Sequence, residues 1–429
     1  MSIDVIELAR DLIRVPSVTA LQAEHLHTST QALDVLEAQL AKLGFTCWRK
    51  LFEGGHAKWS YPVDNLYAEI TLGTPQSHFC YLGHVDVVPV GEHAAWRTPP
   101  FAATLEDGYL YGRGTTDMKG SVAAITSAVA ALLQGDTSRM NLRIGLLITT
   151  DEEWAAVNGT KPVLKWLKEE LGRTIDMVLV GEPSSQDKLG SHIKIGRRGS
   201  LCGTLTAHGV QGHAAYPDLF QNPNRTLALA LAILHELQWD DGSANYPHTQ
   251  FETVALIAGD RNATAVIPQK AEAVWNIRFT PQQNTETLVA RLRDALSNPP
   301  AWAMQHADFK RLSQLELVAN VDTVSVPYAS TPAVLASALQ AAITATLGSP
   351  AQLDATGGTT DGRFVQSYFP QAEVLEFGLP ERGGLQNGLP PHDYLKKGGM
   401  HQADERASVS DLQNLQRIYL ATLQKLAST

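Results

Sequence analysis

Apolar residues along this chain follow two periods, and the switches between them mark its elements. Over the first fourteen residues Ile3, Ile6, Ala9, Leu12 and Ile13 recur at roughly helical spacing. Val15-Pro16-Ser17 closes that run, so a helix is predicted over residues 2–14. A second helix is predicted over 28–43, with Gly44 just past its end. Val63 to Leu72 and Ser77 to Val88 read as strands, and Leu142–Thr150 and Met177–Val180 as continuous apolar strands of a buried sheet. Helices over Ser121–Leu133 and 160–171 alternate with them, which predicts an α/β domain with a mostly parallel sheet flanked by helices. From about Gly199 the texture changes. Half-exposed strands over Leu201–His208, Thr253–Ala258 and Ala273–Phe279, with helices over Pro223–Leu237 and Thr285–Leu296, predict a separate α+β unit. A helix over Pro332–Leu347, a strand over Glu373–Phe377 and a helix over Ser410–Leu426 return to the first pattern. The expected division is therefore 1–199 with 326–429, and an insertion at 200–325. Gly378 to Gly399, rich in Gly and Pro, reads as a long loop near a site.

Polar residues interrupt the apolar strands at their ends. Leu82-Gly83-His84-Val85-Asp86-Val87-Val88 places a histidine and a carboxylate two positions apart, on one side of a strand. A buried carboxylate needs a cationic or donating neighbour. A metal held by His84, with Asp86 taking the other ring N–H, satisfies both groups; so does a metal-free His–Asp pair in a core, and the stretch alone does not separate them. Asp117, Glu152 with Glu153, and Glu182 follow at successive strand ends. Ligands of open α/β sheets bind outside the carboxyl ends of the strands. An acidic triplet such as Asp151-Glu152-Glu153 also suits a helix N-terminus.

Composition narrows the function classes. A formal net charge of −10 with no basic cluster argues against nucleic acid or an anionic membrane as partner. Three scattered cysteines, Cys47, Cys80 and Cys202, suit neither a disulfide framework nor a thiolate zinc site. No secretory leader or membrane-spanning run is read, so a cytoplasmic location is expected.

Counted as metal ligands, His84, Asp117, Glu153, Glu182 and the late His401 exceed what one open catalytic ion needs. They suit two ions sharing a carboxylate, an arrangement that polarises a carbonyl and acidifies water. His and carboxylate ligands favour Zn²⁺, with Co²⁺ or Mn²⁺ as substitutes. Glu152 is then left free to move a proton.

Successive blocks of the chain resemble the M20 metallopeptidase family: Gly83-His84-Val85-Asp86-Val87-Val88-Pro89, Tyr111-Gly112-Arg113-Gly114-Thr115-Thr116-Asp117-Met118-Lys119-Gly120 and Thr150-Asp151-Glu152-Glu153. The likeness continues through Gly181-Glu182-Pro183, Gly196-Arg197-Arg198-Gly199-Ser200-Leu201, Gly212-His213-Ala214-Ala215-Tyr216-Pro217 and Asn262-Ala263-Thr264-Ala265-Val266-Ile267-Pro268. It ends at Gly357-Gly358-Thr359-Thr360-Asp361-Gly362-Arg363-Phe364 and His401. The resemblance implies a di-zinc aminopeptidase-like catalytic domain with an inserted ferredoxin-like lid and dimerisation domain. It implies that His84 and Glu182 bind one zinc, Glu153 and His401 the other, and that Asp117 bridges both. Asp86 would orient His84, Glu152 would be the general base, and His213 would reach a partner subunit's site to stabilise the oxyanion.

Within the family the motifs are nearest to the desuccinylase branch, which implies hydrolysis of N-succinyl-LL-2,6-diaminopimelate to succinate and LL-diaminopimelate. Arg198, Arg278 and Arg363 are then the candidate partners of its carboxylates, alongside Tyr216, Asn262, Gly358 and Thr359. Trp154 after the acidic triplet, and Gln402-Ala403-Asp404-Glu405-Arg406 after His401, depart from that branch's pattern. Glu405 stands near, but shifted from, a glutamate of the branch. The competing activities are those of an acetylornithine-type deacetylase, an aminoacylase or a dipeptidase. A metal-dependent binding protein without catalysis is the alternative of another class.

Overall fold

The first helix, Val5–Arg14, begins where Asp4 accepts the amides of Ile6 and Glu7 at 2.8 and 3.0 Å. Its inward stripe of Val5, Ile6, Leu8, Ala9, Leu12 and Ile13 is buried, as the spacing predicts. The buried Lys119 ties down the end of this helix: its Nζ donates to Leu12 O at 2.9 Å and Val15 O at 2.8 Å, carbonyls that also accept the amides of Val15 and Ser17. The computed structural model describes residues 2–19, 24–54, 61–186, 188–382 and 398–428. Most of the predicted Gly378–Gly399 loop, residues 383–397, lies outside the described residues.

The chain divides into two compact units, one of Met1–Gly196, Ala329–Asp354 and Thr360–Thr429, the other of Arg197–Tyr328 and Ala355–Thr359. The larger contains an eight-stranded sheet in the order Thr46–Phe52, Val63–Leu72, Leu142–Thr149, Ser77–His84, Met177–Val180, Glu373–Glu376, His192–Lys194 and Gln352–Asp354. Its middle four strands run parallel, so their carboxyl ends share one edge. Thr46–Phe52 and Val63–Leu72 are antiparallel additions, as is the single pairing of Glu376 with Lys194. The sheet is therefore mixed, with a parallel centre. Thr46–Phe52 is a half-exposed edge strand that carries Arg49 and Lys50, and the apolar pattern did not reveal it. The predicted strand Ser77–Val88 stops at His84. Beyond it Val85 still donates to Thr149 O at 3.0 Å, but Val87 donates to Ser17 O at 2.9 Å, so the backbone leaves the ladder there.

Small residues explain the helix Gly120–Gln134. It is buried along nearly its whole length and packs against Val5–Arg14 and Val409–Ala427, which its alanines at 123, 124 and 128 allow. Ser408 caps the last of these helices by accepting the amide of Asp411 at 3.3 Å.

The smaller unit runs strand–helix–strand–strand–helix–strand, with Glu316–Ala319 completing the predicted series. Its sheet order, Gln250–Ala258, Lys270–Phe279, Gly199–His208 and Glu316–Ala319, is antiparallel and ferredoxin-like. Helices Pro223–His235 and Thr285–Ser297 cover one face around the fully buried Trp275. Short alternating strands with helices on one face are what the mixed period predicted there.

Gly181 shows how tightly the larger unit holds the edge where the polar residues gather. A Cβ there would fall on the hydroxyl of the fully buried Tyr81 and against Met118. Gly181→Ala is expected to destabilise by about 1–3 kcal/mol, the range for overpacking, seen as a lower urea midpoint. An unchanged midpoint would show that this strand end shifts freely.

Candidate metal centre

Three parallel strands deliver the polar residues to one edge. His84 is the last residue of Ser77–His84, Glu152 and Glu153 follow Leu142–Thr149, and Glu182 follows Met177–Val180. Register sets them level, with His84 opposite Thr149 and Leu82 opposite Val180. Asp117 comes from the turn before the small-residue helix, next to a cis peptide bond to Met118. His401 comes from the loop before the strand Arg406–Ser408.

The side chains meet in two halves about Asp117. On one side His84 Nε2 lies 3.1 Å from Asp117 Oδ1 and 3.5 Å from Glu182 Oε1. On the other His401 Nε2 lies 3.3 Å from Asp117 Oδ2 and 3.2 Å from Glu153. Ligand atoms of His84, Asp117 and Glu153 come within 4.8 Å of one another, as do those of His84, Glu152 and Glu182. The structure thus brings together all five expected ligands and Glu152.

Electrostatics show what such a set requires. Burial pushes the Glu182 carboxyl well above its ordinary range, and the charges of Asp117 and Glu152 add to it. Burial and Asp117 push Glu153 up to about 7. Burial, Asp361 and Glu153 hold Glu152 well above the usual range. Burial would lift Asp117 too, but hydrogen bonds from His401 and His84 pull it below the ordinary carboxylate range. Hydrogen bonds to Asp117 and Glu153 raise His401 to about 10. Burial works against a charged His84, but Asp117, Glu182 and Asp86 outweigh it and raise that imidazole too. Buried acids outnumber the bases here, and divalent cations bound among them would neutralise the excess. An oxygen- and imidazole-rich donor set of this kind fits metal ions.

The expected orientation of His84 is corrected in one respect. Its Nδ1 is 2.9 Å from the backbone carbonyl of Asp86, whereas the Asp86 carboxylate is 3.6 Å away. That carboxylate is fully buried and instead accepts the amides of Glu152, at 3.2 Å, and Glu153, at 3.0 Å. It accepts main-chain N–H groups because the chain leaves the sheet at His84 and turns the side chain under the next loop. Asp86 therefore ties the His84 strand to the loop of Glu152 and Glu153. Asp151 braces the same loop, accepting from Tyr61 Oη at 2.6 Å and from the amides of Val157 and Asn158 at 2.9 and 3.0 Å. Trp154 is 47% exposed beside it.

Arg363 belongs to the larger unit, 3.5 Å from the buried Asp361 and 4.2 Å over the Phe364 ring. The remaining expected residues, Arg198, His213, Tyr216, Asn262, Arg278, Gly358 and Thr359, belong to the smaller. Arg198 and Arg278 lie near enough for the second guanidinium to depress the first, after burial, and no ion pair among the described residues neutralises either. His213, Tyr216 and Asn262 are exposed. The Ala215 amide donates to His213 Nδ1 at 3.1 Å, which leaves Nε2 as the ring nitrogen available to donate.

Sequence reasoning gave no role to Arg113 or Glu405, although both lie in segments it quoted. They form a buried pair at 2.6 Å between the Asp117 turn and the His401 loop. A glutamate buried in a polar-looking loop leaves no periodic signal. The arginine between two glycines of the Asp117 motif was the available clue.

Comparison with known proteins identifies the family. The family model described as peptidase family M20/M25/M40 matches residues 80–425. A succinyl-diaminopimelate desuccinylase of Rhodospirillum centenum is 42% identical over 429 residues, 99% of this chain and 98% of that protein. The M20 family metallo-carboxypeptidase Sso-CP2 of Sulfolobus solfataricus superposes with a TM-score of 0.74 at 18% identity, covering 99% of each chain. The YXEP protein of Bacillus subtilis, a dinuclear metal binding peptidase, gives 0.59 at 15% identity, covering 99% of this chain and 98% of its own. Likeness at these identities shows the fold alone. The family match and the full-length relative establish the rest: this chain belongs to peptidase family M20/M25/M40.

Proposed function

We propose that the chain is a two-zinc amidohydrolase that cleaves N-succinyl-LL-2,6-diaminopimelate to succinate and LL-diaminopimelate. The observation that carries the substrate is the 42% identity, over 99% of the chain, to a protein named as a succinyl-diaminopimelate desuccinylase. His84, Asp117 and Glu182 would hold one ion, and Asp117, Glu153 and His401 the other, since Asp117 turns one oxygen toward each imidazole. When bound, the ions supply Lewis acidity toward the amide carbonyl and make water a competent nucleophile at neutral pH. Glu152 takes the proton of the attacking water and delivers it to the departing amine nitrogen. Asp86 holds the Glu152 amide, so it positions the base.

The smaller unit acts in this reading as a lid inserted into the metal-binding unit. Its Arg198 and Arg278, which make no salt bridge among the described residues, suit the carboxylates of such a substrate. Arg363, Tyr216, Asn262, Gly358 and Thr359 complete the proposed substrate contacts. His213, with its proton on Nε2, has the donor that a developing oxyanion needs. The edge strand Gln250–Ala258 exposes Val254, Leu256 and Ile257 at 65, 65 and 59%, an apolar edge that a second copy would cover. No described helix is long and apolar enough to cross a membrane. A cytoplasmic homodimer is part of the proposal.

Glu152→Gln is expected to lower kcat by about 10²–10⁴, the usual contribution of a positioned acid–base group, with metal content by elemental analysis unchanged. A variant of unaltered kcat would remove Glu152 as the base. In a panel of succinylated diaminopimelate, acetylornithine and simple dipeptides, chelated protein is expected to be inactive. Zinc should restore turnover chiefly on the first; preference for another member would transfer the assignment to that activity, and no turnover with zinc bound would favour a binding protein. Light scattering is expected to give the mass of two chains, and a monomer would end the role of His213 in a partner's site.

A further inference from the structure

The two halves of the centre differ in what holds them. His84 ends one strand of the sheet and Glu182 closely follows another, so the ladder fixes that half. His401 sits in a loop, at φ 62°, with Asp404 at φ 58°. Left-handed backbone at two non-glycine residues persists only where surroundings impose it.

Those surroundings converge on Arg113. Its Nη1 donates to Gln402 O at 3.1 Å and to Glu405 Oε2 at 2.6 Å, and its Nη2 to Pro89 O at 3.3 Å and His401 O at 3.5 Å. The guanidinium also lies 5.1 Å from the Trp96 ring centroid. Glu405 Oε1 in turn accepts the amides of Thr116 and Asp117 at 2.9 and 3.2 Å. One buried ion pair, 2% and 1% exposed, thus joins the turn that carries Asp117, the loop that carries His401 and the segment that follows His84.

We propose that Arg113 and Glu405 are positioning residues that set His401 against Asp117, and so control the affinity of one of the two metal positions. Only a fork with several donors in one plane can hold three carbonyls and a carboxylate together. Loss of this hold falls on the His401 half, because the sheet retains the other. The inference rests on the two-ion reading above.

The test is Co²⁺ titration of metal-free protein, followed by its visible absorption, with bound metal counted by elemental analysis. Wild type is expected to take up two equivalents; fewer would overturn the two-ion reading and this inference with it. Glu405→Gln is expected to weaken one binding step by about 10–100-fold, the usual effect of a group that supports a ligand, while the other step stays within about threefold. Arg113→Lys keeps the charge and one bond to Glu405, so the Thr116 and Asp117 amides stay held, but it lacks the planar fork that reaches the Gln402 and His401 carbonyls. It is expected to show the same selective loss, and it decides the matter if the glutamine variant does not fold. Circular dichroism establishes that the titrated variants are folded. Two equivalents bound at wild-type affinity by a folded variant would overturn the proposal, as would equal weakening of both steps, the sign of a merely structural pair.

Discussion

Like charges brought together out of water set the terms for this molecule. Asp86, Asp117, Glu152, Glu153 and Glu182 converge on two imidazoles at one edge of a sheet, and their carboxyl groups are raised wherever burial and neighbouring acids dominate. Such a cluster is unfavourable unless protons or cations compensate it. The surrounding fold is rigid where it meets the cluster: parallel strands end there, the Asp86 carboxylate is spent on main-chain amides, and Gly181 leaves no room beyond hydrogen. Much of the polar bonding nearby serves to keep repelling groups in place.

That division of labour separates residues that act from residues that hold. Asp86, Asp151, Arg113 and Glu405 direct their polar atoms into loops and strand ends. His84, Asp117, Glu153, Glu182 and His401 direct theirs at one another. Glu152 shares the cluster while remaining half-buried, as a proton carrier with access to water must. The smaller unit repeats the theme without a cluster: burial and the neighbouring Arg278 act against the charge of Arg198, with Asp240 as a partial counterweight, and a ligand of opposite charge would relieve both arginines.

Much of the fold was legible because burial imposes period. The central strands and the helices Val5–Arg14, Thr285–Ser297 and Val409–Ala427 fall within a few residues of their predicted spans. Thr46–Phe52 and Glu316–Ala319 escaped because half-exposed sheet edges need no apolar run. The same limit explains Asp86. Its two-residue spacing from His84 suggested a carboxylate–imidazole bond, but that holds only while the strand continues, and the strand ends at His84.

By itself the sequence determined the identities and order of the polar strand ends, because a buried carboxylate in an apolar run has few physical explanations. It also carried enough motif to mark the family. Tertiary structure alone decided that Asp117 stands between His84 and His401, residues 317 positions apart in sequence, and which atoms face which. It alone revealed the buried Arg113–Glu405 pair. Contacts between loops distant in the chain follow from how the sheet and helices pack, and no local pattern of residues encodes them.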